Sequence, residues 1–312
     1  MSGAKPVASR QSFGEALAEL GTRFPNVVVL DADLSKSTKS ELFAKKYPER
    51  FFEMGIAEQN MVGVAAGLGL SGKNAFCCSF ACFVAGRFET IKISVAYSGG
   101  NVKIVGTHAG VGIGPDGYSQ MGLEDLALMR TLPGMQVFQP ADDRETRQVV
   151  EYLCGHDGPA YLRLTRQSLT PVHGEGWRFV PGKIDALAEG KDLAILATGG
   201  TVMHAMEARA LLAKDGIDAA VINVCSIKPI DAEGLASWAK KVPLMVSVED
   251  HNVLGGMGGA VAEVLAEVRG GARLHRHGLH DVFGESGEPE DLYRKFELDG
   301  AGIARVVRSQ LE

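Results

Sequence analysis

The apolar and polar positions alternate in a way that predicts two runs of strands and helices with a break between them. In the first run, "NVVVLDAD" (26–33) reads as a buried strand ending in acids, and "MVGVAAGLGL" (61–70) as a helix. "NAFCCSFACF" (74–83) reads as a strand then a turn, and "NVKIVGTHAG" (101–110) as a strand entering a glycine-rich loop. "GMQVFQPADD" (134–143) is a strand followed by a helix starting near Asp142, and "PAYLRLTRQ" (159–167) is another strand. Continuous apolar β-branched runs separated by helical patterns imply parallel strands covered by helices on both faces.

The periodic signal stops at "SLTPVHGEGWRFVPGK" (168–183), whose Pro, Gly and His mark a connection. Alternation then resumes. "DLAILAT", "DAAVINV", "PLMVSVED" and "ARLHRHG" read as strands. "TVMHAMEARALLAKDG", "DAEGLASWAKK", "GGAVAEVLAEV" and a segment from about Gly300 read as helices, with Gly216 placed to cap the first. The expectation is an α/β protein of two consecutive domains, 1–180 and 181–312, each a mainly parallel sheet flanked by helices.

Composition changes this picture little. The 312 residues are 46% hydrophobic and 22% charged, as in ordinary globular chains. A net charge of −6 without a basic stripe argues against nucleic acid. No apolar run reaches the roughly 20 residues of a membrane span, and "MSGAKPVASR" lacks a secretory apolar core, so the expected location is the cytoplasm. Cys77, Cys78, Cys82, Cys154 and Cys225 lack zinc spacing and read as buried small apolar residues.

The unusual feature is Glu58, a carboxylate at the mouth of "EMGIAEQNMVGVAAGLGL". Gly55 as an N-cap would make Glu58 the third helical residue, reaching back to free N–H groups. The helix that follows is apolar on every side, with Gly63 and Gly67 one turn apart, and is expected to be buried against something at close backbone distance. Burial disfavours the anion and the helix dipole favours it, which makes this carboxyl a candidate for proton chemistry.

This segment resembles the glutamate-bearing stretch of the pyrimidine-binding domain of thiamine diphosphate enzymes, transketolases in particular. "TRFPNVVVLDADLSKST", "THAGVGIGPDGYSQMGLEDLALMRTLPGMQVFQPAD" and "YLRLTRQ" follow in transketolase order, and the second half is similar to the transketolase C-terminal domain. The resemblance implies a thiamine-diphosphate-binding fold followed by a Rossmann-like domain. It implies that Glu58 hydrogen-bonds the cofactor's aminopyrimidine and promotes the tautomer that takes the proton from carbon 2 of the thiazolium. The reaction so implied is transfer of a two-carbon ketol unit from a ketose phosphate to an aldose phosphate.

The same resemblance assigns the other candidates. Phe83 would stack on the pyrimidine and Phe80 would line that pocket; read alone, both are core residues of a strand. Where the family often has a third aromatic, this chain has Gly86. Asp33 would lie near the cofactor and Ser37 near the donor phosphate, although both also read as turn residues. His108 leads a loop with four glycines, Gly110, Gly112, Gly114 and Gly117, a form that admits close backbone approach. By resemblance His108 faces the phosphate and Asp116 a hydroxyl, while Arg10 and Arg166 clasp the phosphate, as a guanidinium fork suits. Gln120 stands where many transketolases have His, although the animal enzymes also have Gln there, and Tyr118 replaces a proline. Both changes bear on which sugar is used.

A full transketolase also carries a Gly-Asp-Gly motif for Mg²⁺ (or Ca²⁺) and the diphosphate. The sequence has no such motif. The expected partner is therefore an N-terminal subunit that supplies it, in an α2β2 assembly acting on sugar phosphates. Alternatives are a subunit for a branched or sulfonated sugar, a deoxyxylulose-phosphate-synthase-like chain, a 2-oxo-acid dehydrogenase beta-like chain, and a non-catalytic scaffold. "GGMGGAVAE" misses the dinucleotide fingerprint spacing and reads as a tight turn with close helix packing.

Overall fold

A computed structural model describes residues 5–312, so the first four residues of the expected first domain lie outside it. It shows two consecutive α/β domains with mainly parallel sheets flanked by helices. The first sheet has seven strands in the order Ser226–Lys228, Gln136–Phe138, Ala160–Arg163, Val102–Thr107, Asn74–Phe80, Val27–Asp31, Phe51–Glu53. All are parallel except Ser226–Lys228, an antiparallel edge strand contributed by the second half of the chain. The second sheet runs Arg273–Leu279, Leu244–Asn252, Leu193–Ala197, Ala219–Asn223, Asp185–Ala188, with only the last strand antiparallel.

The strands are buried because their β-branched and apolar residues face helices on both sides. Val27–Asp31 and Asn74–Phe80 are buried at every position. Helix starts follow local chemistry where an acid precedes them. Asp142, Asp231 and Asp299 each accept an N–H from the residue three positions on, at 2.9, 3.1 and 2.8 Å. Gly216, at φ 78°, ends the helix Thr201–Lys214 as expected. In "GGMGGAVAE" the close packing is real: a Cβ on Gly256 would lie 2.1 Å from Glu249 Oε2, and that carboxylate accepts the Met257 and Gly258 N–H groups.

Three readings need correction. Glu58 is the first residue of the helix Glu58–Leu70, not its third, and the N-cap is Ala57 rather than Gly55. Gly55 instead has φ +69° and gives its N–H to Glu53, so the turn is closed one step earlier. The turn after Phe80 is a short helix, Ala81–Ala85. The short strand expected at "ARLHRHG" extends to Leu279, because it pairs along Leu244–Asn252.

The domains share a core. Phe80, Val111, Ile113, Met121 and Leu123 pack with Leu193, Ile195, Val246 and Tyr293. Among the described residues no helix is long and apolar enough to cross a membrane. The connection 168–183 is tied down by His173, buried with Nδ1 3.0 Å from Asp142 Oδ2 and Nε2 3.3 Å from Asp185 Oδ2. Trp177 packs tilted against the ring, with centroids 3.9 Å apart, and gives its indole N–H to Asp185. Burial alone would lower the His173 pKa, but Asp142 and Asp185, helped by Glu145, raise it from 6.5 to about 9.

A folded pKa raised above the unfolded one means the imidazolium's contribution is full below about pH 6.5 and lost as pH rises towards 9. That lift corresponds to roughly 3 kcal/mol. His173→Gln is expected to lower the unfolding free energy by about that amount at pH 6 and by much less above pH 9.5. Denaturant titrations at the two pH values check this; equal losses at both would show that the histidine acts by packing alone.

Candidate functional site

The carboxyl ends of the first sheet's parallel strands lie along one edge, where doubly wound sheets place ligands. Asp31, Asp33 and Ser37 follow Val27–Asp31, and Glu58 follows Phe51–Glu53. Phe80 ends its strand, His108 follows Val102–Thr107, and Arg166 follows Ala160–Arg163. Arg10 comes from the helix Ser9–Leu20.

Glu58 is 8% exposed at the N-terminus of its helix, and Ser79 Oγ donates to its Oε1 at 3.5 Å. Phe80 and Phe83 stack at 5.6 Å with planes 9° apart, and Phe80 stacks on the His108 ring at 3.9 Å. His108 is buried, with a left-handed backbone at φ 57°, a strained conformation for a residue with a side chain.

The His108 tautomer follows from its partners. Arg10 Nη1 lies 3.0 Å from Nε2 and can only donate, so Nε2 accepts. The ring proton then sits on Nδ1 and goes to Thr107 Oγ1 at 2.8 Å. Thr107 Oγ1 in turn donates to the Ser79 carbonyl at 3.3 Å. One line of polar contacts thus runs from Arg10 through His108, Thr107 and Ser79 to Glu58. Burial, aided by Arg10, Arg166 and Lys39, pushes the His108 pKa from 6.5 down to about 3.

Positive charge is in surplus at the outer end. Burial and the nearby Arg166 lower the Arg10 pKa, and Arg10 Nε is buried without a partner. Arg166, exposed, gives Nη1 to the Ile113 carbonyl at 2.9 Å and lies 3.6 Å from Asp116. Two guanidiniums near a neutral imidazole, within the field of Lys39 and with Asp116 on the rim, suit an anion.

Other candidates behave differently. Ser37 meets Arg10 through its carbonyl, at 2.7 Å, not its hydroxyl. Asp33 is exposed at φ 62° and gives its N–H to Glu53 at 2.7 Å. Gln120 is half-buried on the 3-10 turn Tyr118–Gln120, whose Tyr118 packs on Phe283 at 4.5 Å. Two residues that sequence reading left unassigned matter here. Asp31, fully buried, accepts from Leu34 N–H (2.7 Å), Thr38 (2.7 Å) and Ser40 (2.8 Å), and so shapes the loop bearing Asp33 and Ser37. Burial pushes its pKa up to about 6 despite those bonds. Lys39, at φ 71°, follows Ser37 closely and packs against Gly14, one turn from Arg10. The doubled acid of "DAD" was the only sequence signal for Asp31; nothing marked Lys39.

Comparison with known proteins gives a consistent result. Residues 5–171 match the family model "Transketolase, pyrimidine binding domain" and residues 182–303 match "Transketolase, C-terminal domain". The chain is 44% identical over 306 residues to a protein of Methanocaldococcus jannaschii named "Putative transketolase C-terminal section", covering 97% of this chain and 96% of that one. It is 39% identical to the 6-deoxy-6-sulfo-D-fructose transketolase subunit SqwH of a Clostridium species, over 97% of this chain and 94% of that one. A solved structure described as a split gene transketolase, inactive beta4 tetramer, superimposes with a TM-score of 0.90 at 47% identity, covering 97% of this chain and 98% of that one.

A lowered imidazole pKa gives a direct check. In NMR of the ¹³C-labelled histidine rings, His108 is expected to stay neutral, with its proton on Nδ1, from pH 8 to below pH 5. A transition near 6.5 would show a ring open to water and unconnected to Arg10.

Proposed function

The chain belongs to the transketolase family, and on that premise we propose that it is the C-terminal subunit of a transketolase divided between two chains. Its domains meet near residue 180, and it moves a two-carbon ketol unit between sugar phosphates. The observation that carries this reading is the joining of two chemically different ends. A buried carboxylate beside a stacked aromatic pair lies at one end, and a cationic anion receptor at the other.

The inner end fits the pyrimidine part of thiamine diphosphate. Phe83 is half-buried and offers a ring face, with Phe80 behind it. Glu58 has one long hydrogen bond within the chain, which leaves lone pairs for a ring N–H. When bound, thiamine diphosphate supplies the carbon nucleophile and electron sink of the reaction. Glu58 holds the proton on the pyrimidine nitrogen, and the helix N-terminus under it stabilises the anion left when that proton is shared. At the outer end Arg10, Arg166 and Lys39 hold the substrate's phosphate, and His108 orients it without changing charge. Asp116 and Gln120 accept and donate to sugar hydroxyls, and Asp33 and Ser37 edge the cofactor and phosphate.

Among the described residues no group of three or more His, Cys, Asp or Glu side chains is placed to hold a metal ion. The Mg²⁺ (or Ca²⁺) and diphosphate end is assigned to a partner chain. The face beside Glu58 supports such a partner. Gly63 and Gly67 look onto open space, and exposed apolar residues flank them: Ile56 at 83%, Leu70 at 63%, and Tyr97 at 87% on the neighbouring π-helical segment Ile91–Tyr97. A patch of this kind on a helix that is apolar all round marks a docking face. An α2β2 assembly would cover it on both copies.

A sulfonated sugar is the second reading. One relative is named for such a substrate. Guanidiniums around a neutral imidazole hold a sulfonate as readily as a phosphate, and Gln120 with Tyr118 sets this chain apart from the common transketolase pattern.

Two-carbon transfer from xylulose 5-phosphate to ribose 5-phosphate, with thiamine diphosphate and Mg²⁺, is expected only when this chain is co-expressed with one bearing a Gly-Asp-Gly motif. Glu58→Gln in that assembly is expected to lower kcat by at least ~10²-fold while cofactor affinity changes little. Unchanged activity would remove Glu58 from the mechanism. Gly67→Arg is expected to abolish co-purification of the two chains without altering the fold, as read by circular dichroism. Undiminished pairing would place the partner elsewhere.

A further inference from the structure

The loop that carries His108, Asp116 and Gln120 is not held by its own domain alone. Asp250, from the second sheet, is 5% exposed, and its Oδ1 accepts the Val111 N–H at 2.8 Å. Its Oδ2 accepts the Tyr293 hydroxyl at 3.1 Å, from the helix Pro289–Lys295. The fit is tight enough to explain the glycines. A Cβ on Gly110 would lie 2.0 Å from Asp250 Oδ2, and one on Gly112 would lie 2.4 Å from the Tyr293 hydroxyl. Further along, Ser286 donates to the Pro115 carbonyl at 2.7 Å, and Gly114 sits against Pro289. The loop's glycines are thus spaced to receive the second domain as well as to approach a ligand.

We propose that Asp250 and Tyr293 are positioning residues for the substrate: through Val111 they hold the glycine loop so that His108 and Asp116 present the sugar-phosphate site. Neither reaches the reacting atoms. His108 sits three residues before Val111 in a left-handed conformation that does not hold itself, and Asp116 lies five residues after it. A carboxylate fits the post because it can take an N–H and an O–H together, on two oxygens, inside a buried joint. The C-terminal domain thereby serves substrate recognition while contributing no group to the reaction. This inference rests on the proposed sugar-phosphate transfer for its kinetic readout, but not for its structural one.

The test uses Asp250→Ala, Asp250→Asn and Tyr293→Phe in the co-expressed assembly. Asp250→Ala is expected to raise KM for the phosphorylated donor about tenfold while kcat falls less than about threefold, the pattern of lost substrate binding. Asp250→Asn, which can still accept the Val111 N–H, is expected to recover most of that loss. Tyr293→Phe should show a smaller rise in the same direction and decides the matter if Asp250→Ala fails to fold. Hydrogen exchange on the isolated chain reads the loop directly. Amides of residues 111–117 should exchange faster in Asp250→Ala and Tyr293→Phe, with the sheet amides unchanged. Unaltered KM in folded variants, or a kcat loss equal to the loss in kcat/KM, overturns the proposal, as does unchanged loop exchange. If the wild-type assembly transfers no ketol unit, the functional reading fails and loop exchange alone still decides the positioning role.

Discussion

One buried ion pair ties the exit of the glycine loop to both domains. Arg163 and Asp125 are 1% and 0% exposed. The guanidinium reaches both carboxylate oxygens, at 2.7 and 3.1 Å. Its Nη2 also donates to the carbonyls of Gly122 (2.8 Å) and Asp250 (3.0 Å). Tyr161 adds a hydroxyl to Asp125 at 2.6 Å. Burial would raise the Asp125 pKa, yet Arg163 holds it below the usual carboxylate range. Such a pair gains little over a well-packed apolar contact, but either partner left alone would be an uncompensated buried charge. What it contributes is geometry. A strand end, the exit of the glycine loop and Asp250, inside the neighbouring domain's strand Leu244–Asn252, meet at one planar group that tolerates few other arrangements.

That junction fits the way the two domains share material. The strand Ser226–Lys228 leaves the second half to edge the first sheet, and the core around Val111 and Ile113 is completed by Leu193, Val246 and Tyr293. Surfaces that interlock in this way do not slide independently. A loop gripped from both sides can keep His108 strained, because the strain is balanced by contacts several residues away.

Most of the architecture was legible in the sequence. Nearly continuous apolar runs ending in polar residues announced parallel strands, and Gly216 announced the end of its helix. Several candidate site residues, Phe80, His108 and Arg166 among them, lie at or just past strand ends, while Arg10 comes from a helix. What could not be read was contact across long separations. Asp250 stands in "SVED" beside Glu249, and nothing local says that one acid caps a helix while its neighbour grips a loop 139 residues earlier. Lys39 looks like a surface lysine until Gly14 gives it a place to rest near Arg10. The Gly55 reading failed because two structures compete for the same turn, and the Glu53 carboxylate decides between them.

The uncovered helix beside Glu58 has a consequence at the level of populations rather than atoms. On the two-chain reading proposed above, a carboxylate at the edge of an open apolar face gives an output that depends on how much of each chain is present. Occupancy would follow mass action, so an excess of one chain would raise turnover only until the scarcer chain is saturated. Copies left over would still carry that exposed apolar face. On that reading, the supply of the scarcer chain would set the flux.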